Sequence, residues 1–110
     1  MTALLCLQLA IYHEARGEPE LGQIAVAQVI LNRVSSEPFP DTPCGVVYQP
    51  RQFSFIGKQL LMNDKQSARK AYHIAKRVYN RNTVNPIGSR KYFSLFCNKK
   101  SLRIGRHCFH

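Results

Sequence analysis

Glu14 is the residue in this sequence best placed to do chemistry. It stands near the end of one apolar segment, directly after His13, and is followed by an Ala-Arg-Gly-Glu-Pro break and a second apolar segment. On a helix it lies one turn beyond Ala10 and Ile11 and two turns beyond Leu7, so its neighbours on that face are apolar. A low-dielectric surrounding disfavours the carboxylate anion, and so does the partial negative charge at a helix C-terminus. Both effects favour the protonated acid. A carboxyl group that keeps its proton near neutral pH is what general-acid cleavage of a glycosidic bond requires.

A second carboxylate would decide how such a reaction ends, because hydrolysis of glycosides ordinarily uses two. Glu18 and Glu20 are near in sequence, but Gly17 and Pro19 end the first helix before either shares the Glu14 face. Their expected role is favourable charge at the start of the next helix. Glu37, Asp41 and Asp64 fall in loops or at a helix start. The expectation is a single-acid site. His13-Glu14 begins like the zinc motif H-E-x-x-H, but Gly17 stands where the second histidine must be. His107, Cys108 and His110 alternate in direction along a strand and do not converge. Neither a metal nor a cofactor is implied.

The elements that must hold Glu14 follow from periodicity. From Thr2 to about Ala15 apolar residues go almost all round the helical wheel, predicting a helix buried on most faces. The opening ALLCLQLAIY lacks the basic start and small-x-small site of a leader, and it reads as a mature core helix. Gly17 suits the position after that helix and Pro19 the first position of a second helix, running to about Val34. Residues 35–50 read as a loop with one helical turn, and Gln52-Phe53-Ser54-Phe55 as a short extended segment. A third helix is predicted from about Lys65 to Asn80, with Ala68, Ala71, Tyr72, Ala75, Val78 and Tyr79 packed inward. The tail predicts a β-hairpin, symmetric about Lys99-Lys100, that sets Cys97 opposite Arg103 and Cys108 opposite Tyr92. The whole reads as one domain over residues 1–110, α+β and mainly helical, with a small C-terminal β-hairpin. Cys6, Cys44, Cys97 and Cys108 lack C-x-x-C spacing; Cys6 reads as a small buried hydrophobe and no bridge is assigned.

The net charge of +10 is unevenly spread. Residues 1–50 carry two Lys or Arg against five Asp or Glu, whereas the remainder carries fourteen against Asp64 alone. A basic half of this kind suggests a polyanionic partner: nucleic acid, anionic membrane or envelope polymer. The Lys65–Asn82 stretch, with its cations and Tyr72 and Tyr79, carries the nucleic-acid reading. Its simpler reading is a solvated amphipathic helix, so no specific nucleic acid is expected.

Three stretches together carry a resemblance. YHEARGEPELGQIAVAQVILNRV, then FPDTPCGVVYQPRQFSF, then IGRHCF, in that order, resemble the cell-wall hydrolase family that includes the spore cortex-lytic enzymes. The resemblance implies a lysozyme-like fold and cleavage of peptidoglycan between N-acetylmuramic acid and N-acetylglucosamine, with Glu14 matching the family's catalytic glutamate. Gln52, Phe53 and Ser54 resemble a family segment and are candidates for lining the glycan cleft, with Tyr48, Tyr92 and His107 as further candidates. Asn32 and Arg33 are expected to tie the second helix to loop backbone. With one acid, the economical chemistry is a lytic transglycosylase, with a muramidase or a non-catalytic envelope-binding module as alternatives. The expected partners are peptidoglycan strands and, through the basic face, anionic envelope polymers. The expected state is a monomer, acting at the wall in the periplasm or outside the cell. Without a visible export signal, delivery falls to a removed leader or to a holin, as for a phage endolysin.

Overall fold

The structure is a computed structural model that describes residues 1–50, 53 and 61–110. Four helices, α1 (Ala3–Ala15), α2 (Glu20–Val34), α3 (Pro43–Val47) and α4 (Lys65–Tyr79), precede three short strands, β1 (Phe93–Ser94), β2 (Leu102–Ile104) and β3 (His107–Phe109). The mainly helical architecture with a small terminal sheet agrees with the expected class. Among the described residues, no helix is long and apolar enough to cross a membrane. Of the predicted extended segment, Phe53 is described, and Gln52, Ser54 and Phe55 lie outside the described residues.

Helix α1 is the axis of the fold. It buries Cys6, Leu7, Leu9, Ala10, Ile11, Tyr12 and Ala15, which explains why its apolar residues run round the wheel: α2, α3 and α4 all pack against it. It is fastened at nearly every turn. Thr2 caps it, its hydroxyl accepting from the Leu5 N–H at 3.1 Å. Cys6 is bonded to Cys44 of α3. The Gln8 side-chain amide donates to the Ala68 carbonyl of α4 at 2.8 Å, and the Tyr12 hydroxyl accepts from the Asp64 N–H at 2.9 Å. Ala15 then enters a second apolar cluster with Ala25, Val26 and Val29 of α2, Ile87 and Phe109.

Two expectations about helices need correction. Pro19 is the N-cap of α2, one position before the first helical residue. In α4 the buried stripe is Ala71, Ile74, Ala75 and Val78, whereas Tyr72 and Tyr79 are exposed. Positions 71, 74, 75 and 78 repeat at one-turn spacing, and a residue one step off that stripe is swung by about 100° toward solvent.

The sheet differs more. Its order is β1-β3-β2, with Arg103 opposite Cys108 and Ile104 opposite His107. The tight turn is therefore Gly105-Arg106, not Lys99-Lys100. Gly105 has φ +60°, the left-handed conformation that a two-residue hairpin loop demands and glycine supplies. Asn98–Ser101 does turn, with the Ser101 N–H donating to the Asn98 carbonyl at 3.1 Å, but it belongs to the loop between β1 and β2. The changed register overturns the cysteine expectation too. Cys97 is bonded to Cys108, and Cys6 is half of a bridge, not a lone small hydrophobe.

The hairpin turn is locked onto the helices by an ion pair. Glu18 lies in the α1–α2 break with its side chain only 3% exposed, and its carboxylate accepts from the Arg106 backbone N–H at 2.9 Å and from Arg106 Nε at 2.7 Å. Burial alone would raise the Glu18 pKa, but the backbone and guanidinium N–H groups of Arg106, with His107 adding attraction, outweigh it and hold the group below its ordinary 4.5. A depressed folded-state pKa means stability that is complete above 4.5 and is lost as pH falls through the lower folded value. Glu18→Gln is expected to cost about 1–3 kcal/mol at neutral pH, because a buried partner of two donors is weakened. Urea titrations of both proteins should show the gap closing below the ordinary glutamate range; a gap independent of pH would refute the linkage.

Gly105 closes on the same carboxylate. A Cβ there would collide with Glu18 Oε1, which is held by its two bonds and has no room to swing away. Gly105→Ala should therefore combine left-handed strain of about 1–2 kcal/mol with a broken ion pair. Thermal melts should place it below Glu18→Gln in stability.

Candidate active site

Glu14 occupies the last turn of α1 and is half-buried. Its rigidity comes from its neighbours. Tyr12, two residues earlier, is buried in the main apolar cluster, and its hydroxyl receives Arg16 Nη1 at 2.5 Å besides the Asp64 N–H. The Arg16 guanidinium carbon also lies 4.6 Å from the Tyr12 ring centroid. The turn bearing Glu14 is thus clamped to the start of α4. Tyr12 and Arg16, whose contacts no local pattern announces, thus fix the turn that carries Glu14.

The other five acidic residues are accounted for individually. Glu18 is committed to Arg106. Glu20 sits 3.4 Å from Arg77 of α4 on the surface. Asp64 is the α4 N-cap: hydrogen bonds from the Ser67 hydroxyl at 2.7 Å and the Ser67 N–H at 3.1 Å lower its pKa and point its carboxylate into its own helix. Glu37 and Asp41 are exposed in the α2–α3 loop, and Asp41 lines a cleft of about 720 Å³ shared with Met1, Ala3 and Tyr79. That cleft adjoins the start of α1, whereas Glu14 lies eleven residues on, roughly 16 Å along a helix.

Of the binding candidates, the structure gathers three and separates one. Phe53 is buried and packs its ring 6.1 Å from that of Phe93, which in turn meets His107 at 5.1 Å and Phe109 at 5.9 Å. Tyr92 is half-exposed and packs at a tilt against Phe39, the ring centroids 6.1 Å apart. Arg33 joins these groups. Its guanidinium carbon lies 5.1 Å from the Tyr92 ring, 5.2 Å from Phe39 and 5.8 Å from Phe53, while Nε donates to the Lys91 carbonyl at 2.6 Å. Burial lowers the Arg33 pKa, with Tyr92 opposing. The expected backbone-tying role is met by Arg33 and by Asn32, whose amide donates to the Gly88 and Arg90 carbonyls. The cation–aromatic role is additional. His107, 8% exposed, faces inward within this cluster, and its Nδ1 has no hydrogen-bond partner among the described residues. Tyr48 is elsewhere: its hydroxyl donates to Met1 Sδ, at the opposite end of α1 from Glu14. Gln52 and Ser54 lie outside the described residues.

The profile of the cell wall hydrolase family matches residues 17–110 of the sequence. The chain belongs to that family. The match begins just after Glu14, and comparisons over longer spans extend it. A spore cortex-lytic enzyme of Bacillus cereus is 37% identical to this chain over 110 residues, covering 91% of the chain and 40% of the enzyme. A spore cortex-lytic enzyme of Bacillus subtilis is 46% identical over 66 residues, covering 59% of the chain and 22% of that enzyme. The chain thus spans less than half the length of either relative. Among solved structures, the catalytic domain of the germination-specific lytic transglycosylase SleB from Bacillus anthracis matches with a TM-score of 0.78 and 34% identity, over 97% of this chain and 92% of that one. The catalytic domain of the Bacillus cereus SleB protein matches with a TM-score of 0.72 and 33% identity, over 97% and 88%.

Proposed function

We propose that this domain cleaves peptidoglycan glycan strands between N-acetylmuramic acid and N-acetylglucosamine as a lytic transglycosylase, with Glu14 as its one acid and base. The observation that carries this reading is the disposition of the acids: two are paired to arginines, one caps a helix, and two stand exposed in the α2–α3 loop. Family membership and the likeness to a lytic transglycosylase catalytic domain support the same reading.

In this mechanism the Glu14 carboxyl proton passes to the bridging oxygen as the muramic acid C1–O bond breaks. The carboxylate left behind stabilises the cationic sugar and then takes the proton of the same residue's C6 hydroxyl. The C6 oxygen closes on C1, giving a 1,6-anhydro end and restoring the acid. No water is consumed, so no second carboxylate is needed to activate one. Tyr92, half-exposed beside the buried Arg33 guanidinium, is suited to offering an aromatic face to a sugar ring, with Phe53 buried behind it as support.

The reaction's place in this reading is the wall, in the periplasm or outside the cell. Two disulfides support that placement, because such bonds persist outside the reducing cytoplasm. The exposed cations of α4 favour anionic envelope polymers as a second contact. We read the protein as a phage endolysin on the strength of its positive charge; co-expression with a holin should then lyse a host that tolerates either gene alone. Mass spectrometry of muropeptides after digestion of purified sacculi tests the chemistry. Anhydro-muramic ends are expected; reducing ends would make the enzyme a muramidase, and intact strands a binder.

A further inference from the structure

The loop between β1 and β2 holds two large apolar side chains out in solvent. Leu95 is 73% and Phe96 85% exposed, although single exposed apolar residues are ordinary and a pinned adjacent pair is not. The loop is firmly built. Ser94 Oγ accepts from the Phe96 N–H at 3.2 Å, Ser101 Oγ accepts from the Asn98 N–H at 2.8 Å, and Asn98 Oδ1 accepts from the Lys100 N–H at 2.8 Å. The His110 ring bridges both ends, with Nε2 3.1 Å from Ser94 Oγ and Nδ1 3.0 Å from Ser101 Oγ. Cys97 fixes the middle to Cys108.

Strand register places cations beside this tip. Phe93, Phe109 and Leu102 share the sheet face turned to the core, so Ser94, Cys108 and Arg103 share the opposite face, over which the Cys97 bond draws the loop. Lys99 and Lys100 lie in the loop itself, exposed, and no Asp or Glu follows Asp64 anywhere in the chain.

We propose that Leu95 and Phe96, with Lys99 and Lys100 of the same loop and Arg103 on the sheet face beneath it, dock this domain on the surface of a lipid bilayer rich in anionic headgroups. Apolar side chains at the tip enter the boundary between headgroups and acyl chains, while the cations meet the phosphates. A glycan is the poorer occupant. The loop's serine hydroxyls and the Asn98 side-chain oxygen are consumed internally, leaving little to read sugar hydroxyls, and of the two apolar side chains only Phe96 offers a ring.

The chain contains no tryptophan, so Phe96→Trp supplies a single reporter. With vesicles of about one-third phosphatidylglycerol in phosphatidylcholine at low salt, its emission should shift to the blue and be quenched by brominated acyl chains. Leu95→Ser with Phe96→Ser should weaken vesicle binding about tenfold or more while circular dichroism and Tm stay unchanged, since both residues are exposed. Lys99→Glu with Lys100→Glu should remove the preference for anionic over pure phosphatidylcholine vesicles, each cation near such a surface being worth roughly fivefold. The proposal is overturned if the wild type does not bind anionic vesicles. It is equally overturned if the reporter stays in water on bound protein, or if the Leu95/Phe96 double variant keeps vesicle binding and loses binding to purified peptidoglycan.

Discussion

Glu14→Gln is expected to slow glycan cleavage by about 10²–10⁴-fold while leaving Tm unchanged. The swap is isosteric and the site half-buried, so no cavity opens. What disappears is the transferable proton. No other carboxylate is poised to replace it, because Glu18 and Glu20 are held by Arg106 and Arg77 and Asp64 by Ser67. Clearing of purified sacculi and calorimetry of the same preparations measure the two quantities together. Glu18→Gln serves as the mirror control: lower stability, with cleavage retained at temperatures where it remains folded. Undiminished clearing by Glu14→Gln would remove the single-acid mechanism outright.

Breaking the Cys6–Cys44 bond is expected to be the most costly change to stability. It closes a segment of 38 residues, for which loop entropy gives about 4 kcal/mol, against about 3 kcal/mol for the separation of 11 at Cys97–Cys108. Against a typical total of about 5–15 kcal/mol for a domain, the first loss is severe and should lower Tm by about 15 °C. The pair Cys6→Ala and Cys44→Ala tests it without burying a hydroxyl at position 6, which is fully enclosed. Because Gln8 and Tyr12 still fasten α1 beyond the bridge, cleavage at low temperature should survive. Equal melting of the oxidised wild type and the alanine pair would show that α3 needs no covalent tie.

Local pattern was enough to place the helices and the Gly17-Pro19 break, since each depends on periodicity or on residues with fixed backbone preferences. The tail resisted for a physical reason. Two turn-forming signals compete there, Asn98-Lys99-Lys100-Ser101 and Gly105-Arg106, and both do turn. The turn that pairs the strands is the one whose Arg106 also meets Glu18, 88 residues upstream, and no local pattern carries that contact. Disulfide partners were hidden likewise, because Cys44 reaches Cys6 only once α3 lies across α1. Tyr12 looked like one more apolar position; its hydroxyl matters because the start of α4 arrives beside it. Ile104-Gly105-Arg106-His107, with glycine leading a two-residue loop, was the signal that could have given the hairpin.

The Glu18–Arg106 contact also sets an order of events during synthesis. Ribosomes deliver α1 and α2 early, yet the carboxylate in the break between them meets its partner only when nearly the whole chain has emerged. Until then the acid is hydrated and the bend is set by Gly17, Pro19 and local hydrogen bonds such as that from the Glu18 N–H to the Ala15 carbonyl, so the helices can associate before their angle is final. Nascent chains stalled before Arg106 should therefore be protease-sensitive at residues 16–19, and chains released past it should not.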